Sequence, residues 1–291
     1  MLLSNKVKIV LAVSLVALIV LVVCFRDTNK GVTVSYHQSR FGLFAPDVLR
    51  AVAKTEDIKA VNLRHVYGGV LPHHIPTTIP ILVKFYERLA KTQKVKRFIV
   101  IGPDHISGGR YPISLSAQAF FTPFGQTEPS VQIIEELERR KLAFSDEDVF
   151  DPEHSVGSQV LLISKFFPDA EVVPIILRSD VKYQNALALG KVLATFLDDE
   201  TVIIASVDFS HYLTADQARP IDTLSGEVLK NLDIEAAHLV KADSSQSMAA
   251  FMKAMEERGA TKVSDMFVLN TNDLTQNSDY TTGYVTGYFG I

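Results

Sequence analysis

The sequence predicts an α/β fold in which a largely parallel or mixed central sheet is flanked by helices. Apolar, β-branched runs that end at turn-forming residues indicate buried strands at 97–101, 172–177 and 201–205. Between these runs, segments such as 130–141 and 185–197 carry apolar residues at helical spacing. Strands that alternate with helices favour a parallel sheet with right-handed crossover connections.

Length and composition restrict the classes of protein and partner. The 291 residues suit one large α/β domain or two small ones, and a hydrophobic content of 47% is enough for a sizeable core. The net charge of -4 and the lack of a Lys/Arg block argue against a nucleic-acid partner. The single cysteine, Cys24, leaves the rest of the chain without a disulfide framework or a cysteine-based zinc site.

An almost unbroken apolar run covers residues 7–25. Its part from 9 to 25 reaches the lower limit of the roughly 17–25 residues that cross a bilayer as a helix. We therefore divide the chain into a short tail (1–8), a transmembrane signal anchor (9–25), a linker (26–31) and an α/β domain (32–291). This division predicts a single-pass membrane protein whose body lies outside the cytoplasm, with a cleaved signal peptide as the alternative.

Histidine and acidic residues follow several of the predicted strands. His105 comes directly after Gly102-Pro103, and similar residues follow the runs at 68–72 and 201–207. Together with two loops, these positions supply His73, His74, Asp208, His211, Glu153, His154 and Asp243. The carboxyl ends of parallel strands lie at one edge of a sheet, so these side chains could converge there. Taken singly, each also has an ordinary explanation, such as a helix cap for Asp208 or a solvated loop for Glu153 and His154.

The combination of residue types indicates a metal site. Neutral imidazoles and a carboxylate suit a divalent transition metal, and two His with one carboxylate are typical of non-haem iron oxygenases and of several catalytic zinc sites. The remaining His and Asp residues would orient ligands, transfer protons or bind substrate. Three further histidines lack this context and are interpreted as structural or surface residues: His37, His65 and His238.

Four segments resemble the signature segments of the Memo family, which is called AmmeMemoRadiSam system protein B in prokaryotes. They are Pro72-His73, Gly102-Pro103-Asp104-His105, Glu153-His154-Ser155 and Ser206-Val207-Asp208-Phe209-Ser210-His211-Tyr212. Their order and spacing match from about residue 32 to the C-terminus. The resemblance implies a fold similar to that of class III extradiol dioxygenases, with a metal pocket at the strand ends.

The resemblance also implies a ligand set. Memo-like proteins line the pocket with two His and one Cys; the two His correspond to His73 and His105, and the Cys is best placed at Asp243. An Asp there gives two His and one carboxylate, closer to the iron pattern of the dioxygenases than to copper or thiolate chemistry. We therefore expect iron first, with copper or zinc as alternatives. His154, Asp208 and His211 are the expected acid–base or substrate-binding groups.

Three functions follow from these expectations. The first is a membrane-anchored, metal-dependent redox enzyme that resembles the dioxygenases and acts on a small-molecule or peptide substrate. The second is a non-catalytic module that binds a peptide or another partner in the same pocket, since Memo-like proteins need not all be enzymes. The third is a metal-dependent hydrolase, because two His and a carboxylate also suit zinc-activated water.

Overall fold

Twelve strands and eight α-helices are found in the part of the chain that the computed structural model describes, residues 36–38, 40–56 and 58–291. The strands are β1 (Tyr36–Gln38), β2 (Val66–Leu71), β3 (Arg97–Pro103), β4 (Ile113–Leu115), β5 (Ala119–Thr122), β6 (Gly125–Thr127), β7 (Phe144–Ser145), β8 (Glu171–Leu177), β9 (Thr201–Ser206), β10 (His211–Leu213), β11 (Lys262–Asn270) and β12 (Thr281–Gly290). The helices are α1 (Ala45–Val52), α2 (Ile79–Thr92), α3 (Val131–Arg139), α4 (Ser155–Phe166), α5 (Tyr183–Ala194), α6 (Ala215–Lys230), α7 (Ser245–Arg258) and α8 (Thr271–Thr275).

Nine of these strands form one mixed sheet with the order β10-β12-β2-β9-β3-β8-β4-β7, and β11 pairs with β12. Its centre is parallel: β9 lies between β2 and β3, and Ala205 is aligned with both Val70 and Ile101. β12 and β4 run antiparallel to their neighbours β2 and β8. The predicted mixed α/β architecture is confirmed, and the aligned register brings the carboxyl ends of β2, β3 and β9 to one edge.

Helices cover both faces of the sheet. Successive side chains of β3 alternate between two buried apolar clusters, because neighbouring residues of a strand point to opposite faces. Ile99 and Ile101 pack with residues of α3, α5, α6 and α7, whereas Phe98 and Val100 pack with residues of α1, α2 and α4. The sheet is therefore buried on both sides, which explains why its central strands are continuous apolar runs.

A second, three-stranded sheet joins β1 to β5 and β6. Its first strand carries His37, which is buried in a polar cluster. The Nδ1 atom of His37 lies 2.8 Å from Asp151 Oδ1, and its Nε2 atom lies 2.7 Å from Ser116 Oγ and 3.0 Å from Glu147 Oε2. Burial lowers the pKa of His37, but the hydrogen bonds and charges of Glu147 and Asp151 outweigh it, so the pKa is raised above 6.5.

The predicted membrane localisation is corrected by the structure. Within the described residues, no helix combines the length and the apolar character that a bilayer crossing requires. The segments on which the prediction rested, the tail 1–8, the anchor 9–25 and the linker 26–31, lie outside the described residues. The prediction rested on the apolar run and its length, and no helix of the described residues supports a single-pass anchor.

We expect His37→Gln to remove a pH-dependent contribution to stability. The folded-state pKa of His37 is raised, so its contribution is complete below the unfolded value of about 6.5 and is lost as pH rises through the folded value. The difference in free energy of unfolding between wild type and His37→Gln, measured by urea denaturation, should be largest near about pH 6 and shrink toward alkaline pH. The matched control is His238→Gln, since His238 is exposed. A difference that is constant with pH would contradict a protonated His37.

Candidate metal centre

Three imidazoles and two carboxylates meet at the carboxyl edge of the parallel strands. His73, His105 and Asp208 follow β2, β3 and β9, and His154 and Asp243 precede α4 and α7. The structure thus brings together five of the six predicted site residues. The sixth, His211 at the start of β10, lines the same cavity but belongs to neither group of donor atoms described below.

The potential donor atoms form two groups that share His73. Those of His73, His105 and His154 lie within 4.8 Å of one another, and so do those of His73, Asp208 and Asp243. Asp243 Oδ2 lies 3.0 Å from His73 Nε2 and 3.4 Å from His105 Nε2. The carboxylate of Asp243 therefore lies close to the imidazoles of both His73 and His105, the two residues expected to share a ligand set with it.

Two buried atoms of this site have no hydrogen-bond partner, His73 Nε2 and Asp243 Oδ1. His73 Nε2 lies 3.0 Å from the other Asp243 oxygen, Oδ2, in an ion-pair contact. An unpaired buried polar atom costs about 1–3 kcal/mol, so such atoms are rare without a ligand. An imidazole lone pair and a carboxylate oxygen are both donors to divalent transition metals. The residues present therefore fit such an ion.

A close approach of α4 to β3 brings the His154 loop to His105. A Cβ atom on Gly102 would lie 2.5 Å from Ser155 Oγ, so only glycine allows this packing. The hydroxyl of Ser155 donates to the carbonyl of Pro103 at 3.0 Å and fixes the first turn of α4 against the strand end. As a result, the ring of His154 stacks on the ring of His105 with centroids 4.1 Å apart.

Glu153 orients His105 and is itself almost fully buried, with 2% exposure. Its carboxylate accepts hydrogen bonds from His105 N and Nδ1, both at 2.8 Å, and from the backbone N–H groups of His154 and Ser155. A bond to Nδ1 leaves Nε2 of His105 directed at the site, as is usual for metal-binding histidines. Burial raises the pKa of Glu153, but the hydrogen bond and charge of His105 and the backbone donors lower it to about 2.

His73 is held from two sides. Its backbone N–H donates to Asp208 Oδ1 at 3.1 Å, and Ser206 Oγ lies 3.4 Å from its Nδ1 atom. The side-chain amide of Gln159 donates to the carbonyl of Pro72 at 2.8 Å and to Ser206 Oγ at 3.0 Å. These hydrogen bonds fix the backbone at Pro72 and His73. The position of the His73 ring is therefore set by buried polar groups at the end of β9 and on α4.

Charges at the site favour a cation. Burial raises the pKa of Asp243, but His73 and His105 outweigh it and hold the pKa of that carboxyl well below its usual range. Burial together with His73 and His105 lowers the pKa of His154 to about 4, so this imidazole is neutral at pH 7. For His105, burial lowers the pKa, but the neighbouring carboxylates of Asp243 and Glu153 raise it to about 10. A bound cation would take the place of that proton, so metal affinity should rise with pH.

The site opens into a cavity of about 720 Å³. One wall comes from the segment after β1 with Phe41 and Phe44, and another comes from Tyr212 and Tyr280. None of the described lining residues is a Lys or an Arg. The cavity can therefore hold a ligand with an apolar or aromatic portion next to the donor atoms, and an anionic group of such a ligand would meet no lysine or arginine among these lining residues.

Sequence reasoning placed the principal residues and missed their supports. It treated Glu153 as part of a loop with His154. It gave no role to Gln159, whose hydrogen-bond partner Ser206 lies in a signature segment. The signals for Glu153 were its place in the Glu153-His154-Ser155 segment and its position immediately before the histidine at a helix start. The roles of His73, His105 and Asp243 as ligands, and of the other three residues in acid–base chemistry, stay predictions.

Glu153→Gln tests the clamp on His105, by which we mean the two hydrogen bonds from His105 N and Nδ1 to the Glu153 carboxylate. Glutamine replaces one acceptor oxygen with a donor, so at least one of the N–H groups that bond to Glu153 loses its partner. We expect the free energy of unfolding of the metal-free chain to fall by about 1–3 kcal/mol, measured by denaturant titration. The exposed Glu135→Gln is the control and should change stability by less than about 0.5 kcal/mol. Equal stability of the two variants would show that the clamp is not formed.

Comparison with known proteins places the chain in a family. The profile of the Memo-like protein family matches residues 48–288. A MEMO1 family protein of Caldivirga maquilingensis is 25% identical over 234 residues, which cover 77% of this chain and 83% of that protein. Another from Aquifex aeolicus is 28% identical over 215 residues, covering 71% and 77% respectively.

A solved structure is also similar. The crystal structure of an uncharacterised Escherichia coli K12 protein aligns with a TM-score of 0.45 and 14% identity, covering 75% of this chain and 99% of that one. The family assignment does not depend on it. The profile match spans the body of the chain, and it includes the strand ends and loops that carry His73, His105, His154, Asp208 and Asp243. With its predicted signature segments gathered at one edge of the sheet, the chain belongs to the Memo-like family.

Proposed function

We propose that this protein is a metal-dependent redox enzyme with a dioxygenase-like fold, in which His73, His105 and Asp243 hold a divalent metal. The observation that carries the proposal is the pair of buried atoms without hydrogen-bond partners, His73 Nε2 and Asp243 Oδ1. Iron(II) is the first choice, because two imidazoles and one carboxylate with open positions form the ligand set of non-haem iron oxygenases. Such an ion would supply a centre for electron exchange and for binding of an oxygen donor.

The surrounding residues have separate tasks in this proposal. His154, neutral at pH 7 and stacked on His105, would be available to accept a proton from a substrate group held in the cavity. Asp208 orients His73 through its backbone N–H. His211 faces the cavity and contacts the substrate. The apolar walls exclude water around the reacting groups and hold the substrate in place.

Metal content tests the proposal directly. The full chain is purified under anaerobic conditions as wild type, His105→Ala and, as control, His238→Ala, which changes an exposed histidine. We expect about one equivalent of iron per chain in wild type and in the control, and a loss of at least about tenfold in His105→Ala, measured by elemental analysis. Zinc in place of iron would favour the hydrolase, since zinc activates water without redox chemistry. Absence of metal in wild type, even after reconstitution, would refute the proposal.

A second function, binding of a peptide or another partner without turnover, is favoured by the rim of the cavity. Leu43, Tyr212 and Tyr280 line the cavity and are 67%, 80% and 80% exposed. Large apolar side chains this exposed around a concave site are typical of binding surfaces. Tyr212 and Tyr280 also have positive φ angles of 59° and 53°, which are uncommon for tyrosine and often occur at functional sites.

A peptide library displayed against the immobilised full chain separates this second function from the first. A binding module should enrich peptides that a Tyr212→Ala/Tyr280→Ala double variant no longer retains, while His105→Ala retains them. The exposed tyrosine in the control, Tyr183→Ala, lies on α5 and does not line the cavity. Enrichment that survives the double variant would locate binding elsewhere, and no enrichment at all would remove the binding module.

A further inference from the structure

We propose that Asp222 is a positioning residue of the metal centre, acting through the segment that carries Asp208. The proposal rests on the metal site described above and adds to it a residue of α6 that lies outside both donor groups. Asp222 has 1% exposure and lies on α6, next to the segment 208–211. Its two carboxylate oxygens are both used within that segment.

The first step is the contact between Asp222 and Ser210. Asp222 Oδ1 accepts a hydrogen bond from Ser210 N at 3.0 Å, and Oδ2 accepts one from Ser210 Oγ at 2.8 Å. Both donors belong to one residue, so the carboxylate fixes the backbone and the side chain of Ser210 together. Among the ion pairs of the described residues, none includes Asp222. A buried carboxylate without a cationic partner is costly, and it is stabilised here by these two bonds.

The second step is the contact between the same segment and β12. Gly283 N donates to Ser210 O at 2.7 Å, and Phe209 N donates to Gly283 O at 2.9 Å. A Cβ atom on Gly283 would lie 2.1 Å from Asp222 Oδ2, so the carboxylate occupies the space that any other residue would fill. Phe209 and Ser210 are thus held between α6 and β12, and their position has little freedom.

The third step leads from this segment to the metal-facing carboxylate. The backbone N–H of Asp208 donates to Asp243 Oδ2 at 3.1 Å, and the backbone N–H of Asp243 donates to Asp208 O at 2.9 Å. The Asp243 carboxylate is therefore aimed at His73 and His105 by the backbone of Asp208. Since Asp208 is followed directly by the two residues that Asp222 and Gly283 hold, a displacement of Ser210 moves the groups that orient Asp243.

Asp222→Asn is the main test, because it keeps the size of the side chain and replaces one acceptor with a donor. The full chain is titrated with Co²⁺ alone, and the affinity and visible absorption are compared among wild type, Asp222→Asn, Ser210→Ala and the control Asp216→Asn. Asp216 is exposed and lies on the same helix. We expect Co²⁺ affinity to fall about tenfold in Asp222→Asn, with an altered absorption spectrum that reports changed ligand geometry, and no change in Asp216→Asn.

A purely structural role would lower stability without these two changes. Ser210→Ala should reproduce part of the loss in affinity, and the double variant should lose less than the sum, because both residues act through one contact. Gly283→Ala approaches the same contact from β12 and should weaken Co²⁺ binding in the same direction. If Asp222→Asn binds Co²⁺ with the affinity and spectrum of wild type, the proposal is overturned.

Crystal structures of metal-free wild type and Asp222→Asn decide the proposal without any metal. A shift of the Asp243 carboxylate relative to His73 supports it, and identical positions of residues 208–211 and 243 overturn it. If wild type binds no Co²⁺ at all, the proposed metal function fails, but a shifted Asp243 still supports positioning by Asp222. The two failures are therefore distinguishable.

Discussion

The close approach of the Asp243 carboxylate to two imidazoles is the interaction on which the rest of the site depends. One oxygen of Asp243 lies 3.0 Å from His73 Nε2 and 3.4 Å from His105 Nε2, and the Asp243 side chain is 10% exposed. Charged groups with little water around them are costly unless fixed partners compensate them. The surrounding structure holds them nonetheless: Glu153 fixes His105, Asp208 fixes both His73 and Asp243, and α6 fixes the segment after Asp208.

The convergence of His73, His105 and Asp208 could be predicted because it follows from one rule of parallel sheets. Each of these residues follows a strand, and aligned register places all such ends on one edge. Asp243 was placed by family resemblance, since no strand precedes it. The rule says nothing about side chains that arrive from helices, so Gln159 and Asp222 were not found. The helix that carries Asp222 was itself missed, because Pro220 interrupts its pattern, although Thr214 and Gln217 form a capping box at its start.

Two other expectations show where patterns mislead. A proline inside a strand, such as Pro174 in β8, favours an edge position or a bulge, yet β8 is paired on both sides. Proline is nevertheless compatible with this position, because β4 pairs only with Ile175, Ile176 and Leu177 and does not reach Pro174. The apolar run at 7–25 suggested a membrane anchor from its composition and length, and no helix of the described residues supports one. Local sequence patterns were therefore reliable where they constrained the geometry of strands, and unreliable where they were used to predict the cellular location of the protein.

The His37 cluster has a consequence for anyone who wishes to alter the ligand preference of this protein. Glu147 and Asp151, which hold His37, belong to the same loop as Glu153 and His154. The residues just after His37 form the Phe41 and Phe44 wall of the cavity. One loop therefore carries the attachment of that wall at one end and the support of His105 at the other. A change in the Phe41 and Phe44 wall can therefore disturb the residues that face the metal site. A redesign of the wall has to include the loop 147–154.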